Sequence, residues 1–372
     1  MKHRILASAL LAIFTATSAF AGTHALLPAQ PGDLVPTTLR ARTATASPAP
    51  LTSAAAGDAP RVQTERQPVS VSWALPHDQP VESAAQPFEH SSREYWMDVS
   101  ATTLQRGIEL PLTAPGAVIR LSPSDPQGGR LDAGKVQLRL GRQSLNVPQA
   151  SSTLADEQSL RAAGLDVPQA SMMFKLKPEL GSGIATLQAP TASGRYVVHV
   201  FEPQSPYSVT ARGDRSEVLL GNDMRVRVAM HDADKAAPLA AVGGFLRAPD
   251  GTTTNLAYQR QQDGSFTTDV QPRNIPATPG LWEVHSFTAG TDAAGNEVRR
   301  DTTTVFAAAV PTARFSGVAK TSRSADHGID ITLGVTAASS SRFAASAVLY
   351  GRATNGRMVP AAFAQSAAVL DK

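Results

Sequence analysis

The side chains able to do chemistry are thinly spread along this chain. Eight histidines occur among 372 residues, and none forms an HExxH or a close His-x-His pair. His199 and His285 fall inside alternating apolar runs, which reads as strand histidines with a local partner rather than as metal ligands. Cysteine is absent, which excludes a thiol nucleophile, a disulfide and the common structural zinc sites. No serine sits in a Gly-x-Ser-x-Gly elbow, Gly181-Ser182-Gly183 reading as a turn. Neither a phosphate loop nor a dinucleotide fingerprint is present.

Three patterns retain some chemistry. Asp232 and Asp234 in HDADK, and Asp292 with Asn296 in TDAAGN, place oxygen atoms in two loops, and such loops hold calcium at the ends of sandwiches. EF-hand spacing is missing and Lys235 opposes a cation, so solvated turn residues are the plainer reading and calcium is the one cofactor worth considering. Tyr95 and Trp96, beside Glu94 and His90, could line a sugar-binding face; the alternative is that these rings fill a core. Arg212-Gly213-Asp214 spells an integrin-type tripeptide that three common residues produce by chance. An extracellular hydrolase would need two carboxylates facing each other across a cleft, with Glu89, Glu94, Asp98 and Glu109 as candidates.

The N-terminus sets the compartment. Lys2 and Arg4 precede an apolar run from Ile5 to Phe14, and small residues end in Ala19-Phe20-Ala21. That order predicts a signal peptide over residues 1–21, cut to leave Gly22 first. The run is short for a bilayer span, no later segment is apolar enough for one, and without cysteine the chain is not a lipoprotein. The expected location is the periplasm or the outside of a Gram-negative cell.

The chain carries 34 basic and 31 acidic residues, and loss of Lys2 and Arg4 with the leader lowers the net charge from +3 to +1. No basic tract interleaves with aromatics, so nucleic-acid binding has no basis. The expected partner is an unidentified protein or glycan.

Residues 22–67 hold many prolines, few large apolar residues and no periodicity, which predicts a disordered tether. From Pro68 short β-branched and aromatic runs such as VSVSWAL, YWMDVS, AVIRLSP and VQLRLG are separated by Pro and Gly clusters, the rhythm of an N-terminal β-rich domain over 68–204. One short helix is expected between Asn146 and Val167, with Thr153 and Asp156 shaped like a capping box and Gly164 as its stop. VPQAS occurs at 147–151 and again at 167–171, but the flanks differ, so no solenoid repeat is implied.

Residues 205–311 read as an immunoglobulin-like β-sandwich of about seven strands. In MRVRVAM, Val226 and Val228 share a face; in GLWEVHS, Trp282 and Val284 do. These four residues are the expected structural core. Asp250-Gly251 and Asp263-Gly264 predict hairpin turns. Residues 312–372 form a second β-rich unit, expected to be an incomplete immunoglobulin-like domain because no closing strand follows VLDK.

The order DG-x-F, PGLWEV and TDAAGN resembles bacterial immunoglobulin-like modules. YWMDVSATTLQRGIELPLTAPGAVIRLSP, GRYVVHVFEPQSPYSV, PDGTTTNL and VFAAAVPTAR extend the likeness, from about Trp73 to the C-terminus. Together they resemble one family of exported Gram-negative proteins that carries a domain-of-unknown-function label and pairs an N-terminal β-rich domain with immunoglobulin-like ones. The resemblance implies an all-β fold and export, and no activity. The functional expectation is a non-catalytic envelope or secreted module, with the hydrolase in the 68–204 region as the alternative.

Overall fold

The computed structural model describes residues 22–29, 33–41, 66–79, 81, 87–125, 128–274, 278–324 and 328–371. The expected signal peptide lies outside these residues, as does the 42–65 part of the expected tether.

Strands dominate, as the alternating pattern requires, and they form five sheets among the described residues. In chain order, β1 (Gly22–Ala25) and β2 (Val69–Ala74) come first and pair near the other end of the chain. The first sandwich follows, from β3 (Glu89–Ser92), β4 (Glu94–Ser100), β5 (Ile108–Leu112) and β6 (Val118–Pro123) to β7 (Gln137–Leu140), β8 (Gln143–Asn146), β9 (Ser151–Asp156), β10 (Met172–Leu176), β11 (Gly183–Gln188) and β12 (Arg195–Phe201). One sheet runs β4-β12-β6-β10-β9 and the facing sheet β5-β11-β7-β8. Between them pack Leu110, Ile119, Leu138, Phe174, Tyr196 and Val198, all essentially without solvent contact.

The described residues hold three short helices: α2 (Val147–Ala150) and α3 (Glu157–Ala162) fall in the 146–167 interval where one was expected, and α1 (Ala101–Arg106) precedes it. The expected capping box at Thr153 is instead part of β9, because cross-strand pairing with β10 overrides a local signal. Asp156 still caps α3 by accepting from the Ser159 N–H, and Gly164, at φ +84°, follows it. The two VPQAS copies diverge: the first is α2, boxed by Asn146 and Gln149, and the second is a bend in which Ala170 takes φ +63°.

The second sandwich holds β13 (Tyr207–Gly213), β14 (Glu217–Leu219), β15 (Met224–Asp232), β16 (Lys235–Ala237), β17 (Leu239–Arg247), β18 (Thr253–Asn255), β19 (Gln259–Arg260), β20 (Phe266–Val270), β21 (Trp282–Thr291) and β22 (Glu297–Ala309). One sheet orders β18-β17-β21-β22, with β14 parallel to β22; the other orders β19-β20-β15-β13-β3. Strand β3 thus leaves the first unit to pair with β13. Trp282, Val284, Val226 and Val228 are all buried between these sheets, with the Trp282 and Phe306 rings 6.3 Å apart. On the opposite face of β15, Arg225 and Arg227 pair with Asp269 and Asp263.

The third unit draws strands from two parts of the chain. Its β23 (Ala313–Arg323) and β24 (Ile329–Ala337) join β1 in one sheet; its β25 (Ser341–Arg352) and β26 (Met358–Leu370) join β2 in another. Ala319, Ile331, Leu333 and Ala368 are buried between the two sheets. Each sheet thus takes one strand from outside residues 312–372: 22–25 from the expected tether and 69–74 from the expected start of the N-terminal domain.

The first two sandwiches share a sheet. Strand β22 meets β4 at a single bridge, Asp301 opposite Glu94, which makes ten strands continuous across both units. Beneath the bridge lies a buried ion pair, Arg300 to Glu202 at 2.8 Å, with both side chains fully enclosed. Glu202 also accepts from the Thr113 N–H (2.6 Å), the Ala114 N–H (3.0 Å) and the Thr113 hydroxyl (3.0 Å). Arg300 donates further to the Tyr207 carbonyl, the Thr113 hydroxyl and the Ser205 hydroxyl. Burial pulls the Arg300 pKa down, opposed by the Glu202 carboxylate.

Removing one partner of a buried pair strands the other without solvent. Arg300→Ala should therefore cost about 3–5 kcal/mol of unfolding free energy by urea titration. Trp282→Ala should cost about 3–5 kcal/mol through a cavity, and the double variant should be additive, because the two residues lie in separate clusters.

Candidate functional site

Alternation in EYWMDVS sends Tyr95 and Val99 inward and Glu94, Trp96 and Asp98 outward. Tyr95 is buried, its hydroxyl donating to the Pro111 carbonyl, and burial raises its pKa. The expected pair therefore splits: Tyr95 is core, and Trp96, 39% exposed, stands on the outer face of the ten-stranded sheet.

Register then decides the neighbours of Trp96. His199 lies opposite it on β12, and Arg120 opposite His199 on β6. The Trp96 and His199 rings stack at 3.8 Å and 13°, with the Arg120 guanidinium 5.2 Å from the indole centre. His199 Nε2 lies 2.8 Å from Glu94 Oε2. That hydrogen bond holds the Glu94 carboxyl below its usual pKa against the opposing effect of burial. His90, which the sequence places near this group, sits on β3 in the other sheet, 3.2 Å from the Thr302 hydroxyl.

Across the junction the same face continues on β22, β21 and β17. Phe287 lies opposite Asp301 and Gly243 opposite Phe287, so both join the row that begins at Glu94. Trp96, Phe287, Arg299 and Asp301, with the small residues Ala241, Gly243 and Ala289, line an open hollow of about 250 Å³. Phe287 is 41% exposed and leans on Phe245 at 5.8 Å. Phe245 in turn stacks on His285 at 4.7 Å, and His285 Nε2 lies 2.8 Å from Glu283 Oε2. An aromatic–histidine–glutamate cluster thus stands on each side of the hollow.

Asp301 accepts a 2.7 Å hydrogen bond from the Trp96 N–H. Burial raises its pKa to about 7, hydrogen bonds from the Trp96 and Thr288 amides work against that rise, and the Glu94 carboxylate adds to it. Arg299 is held by both oxygens of Glu297 at 2.9 Å. The hollow therefore offers two apolar ring surfaces, a fixed guanidinium and a carboxyl that changes charge near neutrality.

The other sequence candidates do not gather here. Asp292 spends its oxygens on its own turn, accepting from the Ala294 N–H, the Asn296 N–H and the Asn296 amide. Asp232 faces Lys235 across the β15–β16 hairpin and Asp234 is exposed at its tip. Desolvation, and after it the charges of Asp232 and Asp292, raise the Tyr207 pKa. Among the described residues no group of three or more His, Asp or Glu is placed to hold a metal ion.

The four candidate carboxylates do not converge either. Glu89 lies on β3 beside Arg212 at 3.7 Å. Glu94 faces His199, and Asp98 faces Arg195 at 2.7 Å. Glu94 and Asp98 share a face of β4 but stand four residues apart, about 13 Å along a strand, beyond the carboxyl separations of glycosidases. Glu109 is on β5, in the opposite sheet. A larger opening of about 580 Å³, lined by Asp125, Arg130, Glu157 and Gln169 among others, presents no aromatic ring among its described lining residues. Among the described residues no helix is long and apolar enough to cross a membrane.

Sequence reasoning missed Phe287, Arg299, Asp301 and Gly243. Only the outward phase of β17, β21 and β22 was readable for them, and which strand adjoins β4 was not.

Asp301 gives a pH prediction. A carboxyl whose folded pKa is raised contributes stability below its unfolded pKa, near 4, and loses it as pH rises through about 7. The wild-type urea midpoint should fall between pH 5 and pH 8 by an amount that Asp301→Asn removes. Over that interval the unfolding free energy should drop by at most about 3 kcal/mol.

Residues 60–202 match the domain described as the N-terminal domain of a domain-of-unknown-function family, DUF4785, and residues 312–372 match its C-terminal domain. Among solved structures, a DUF4785 family protein from Legionella pneumophila is similar at 19% identity and a TM-score of 0.62, covering 93% of this chain and 86% of that one. A Bacillus licheniformis lipase in propeptide form also matches, at 10% identity over 68% of this chain and 45% of that one, but its TM-score of 0.19 carries no argument. The comparison with curated proteins found no match.

Proposed function

Because this chain belongs to the DUF4785 family, whose description assigns no activity, we propose from its own surface that it is an exported, non-catalytic binding module that holds a saccharide between Trp96 and Phe287. Export follows from the leader-like residues 1–21, which direct the chain to the periplasm or the medium. The observation that carries the ligand is the pair of outward rings across a hollow with Arg299 and Asp301. Sugar rings present C–H faces that pack on aromatics and hydroxyls that bond both a guanidinium and a carboxyl. The non-catalytic reading is supported by carboxylates that are separated from one another and engaged elsewhere. No cofactor is invoked.

Calorimetric titration of residues 22–372 with envelope saccharides tests the site. Wild type should bind at least one of them, and Trp96→Ala should weaken that binding about tenfold or more. A Cβ added at Gly243 meets nothing within 4 Å, so Gly243→Leu should fill the hollow and abolish binding with the melting temperature unchanged. Undiminished binding by both variants would sink the site, and a wild-type chain that binds no saccharide would sink the ligand class. Mass spectrometry of periplasmic extract and spent medium should find a peptide beginning at Gly22.

A further inference from the structure

Strand β1 has an unusual partner. Its four residues run antiparallel to β23, from Gly22 opposite Thr321 to Ala25 opposite Val318. His24 Nε2 lies 3.2 Å from the Thr321 hydroxyl, a contact between residues 297 apart in sequence. The next residue extends the ladder, the Leu26 N–H donating to the Gly317 carbonyl at 2.9 Å. A register shift in β23 between Phe315 and Ala319, with Gly317 at φ +85°, lies just where the ladder reaches that carbonyl.

Side chains divide as a strand requires. His24 and Leu26 are half-buried, and Thr23, Ala25 and Leu27 are exposed. Leu26 packs on the small core of the third sandwich, whose buried apolar residues are Ala319, Ile331, Leu333 and Ala368. Ala345, Ala347, Leu349 and Leu370 cover the same core, and Leu26 alone of the five comes from outside residues 313–370. Strand β1 lies at the edge of its sheet, so its removal would expose a row of unpaired N–H and C=O groups along β23.

We propose that the edge of β23 from Gly317 to Thr321, with the seat for Leu26, is a binding site for an extended peptide. Its occupant is this chain's own segment 22–27, and the segment can be supplied in trans by a second copy or as a free peptide. Main-chain hydrogen bonds give such a site its affinity and the alternate side-chain pocket gives its specificity. The segment suits exchange because a cut after Ala21 would leave it with a free end, and because it is a single edge strand that an identical strand from another copy can replace. The inference is independent of the saccharide hollow, which lies on other sheets.

The test uses a chain lacking residues 22–27 and a C-terminally labelled peptide, GTHALLPA, covering 22–29. In fluorescence polarisation the peptide should bind the shortened chain and not the intact one. Leu26→Asp in the peptide should weaken binding about tenfold or more, whereas Leu27→Asp should not. No binding, or equal binding by both altered peptides, overturns the proposal. Should the shortened chain fail to fold, the intact chain decides. Leu26→Asp should open residues 313–370 to protease while residues 89–309 stay protected, and Leu27→Asp should leave both protected. Identical digestion of the two variants and wild type overturns the proposal as well.

Discussion

A charge without solvent must have its partner in place, and one such pair sets how the first two sandwiches meet. Arg300 belongs to β22 of the second sandwich. Glu202 follows β12 and Thr113 follows β5, so the ends of both sheets of the first sandwich converge on one guanidinium. Each further bond in the network satisfies an atom that would otherwise be desolvated for nothing. The geometry leaves little room for the two units to pivot. The bridge between Asp301 and Glu94 alone would be a weak seam; above a locked ion pair it becomes a continuous sheet. The hollow follows from that, since Trp96 comes from one sandwich and Phe287 from the other.

On both flanks of the hollow a histidine lies flat against an aromatic ring and reaches a glutamate, as Trp96–His199–Glu94 and Phe245–His285–Glu283. A ring held by stacking on one side and by a hydrogen bond beyond loses little freedom on contact with a ligand. Small residues at 241, 243 and 289 keep the space between the clusters open. Rigidity and vacancy are thus produced by the same outward rows of one sheet.

The β-rich class was legible because alternation is local: Val226, Val228, Trp282 and Val284 carry their inward phase in their own spacing. The same logic separates Tyr95 from Trp96, since neighbours on a strand face opposite ways, and reading them as one sugar face overlooked it. Long-range pairing was not legible. GTHA has no period and sits among prolines, and nothing near it names β23 as its partner. The capping-box shape at Thr153 was a true local preference that lost to pairing with β10. Asp301 carried no local signal, because its burial depends on strand β4, about two hundred residues earlier.

Residues 22 and 370 both lie in the third sandwich, so the described chain runs out through two other units and returns to close on itself like a clasped bracelet. Tension applied between those ends would load the clasp before the ion-pair junction, which lies off the line of force. Its small core and short edge strand make the clasp the weaker element, so it would yield first and shield the rest. The order of synthesis has a related consequence: β1 must wait until residues 313–323 have emerged before it finds its place.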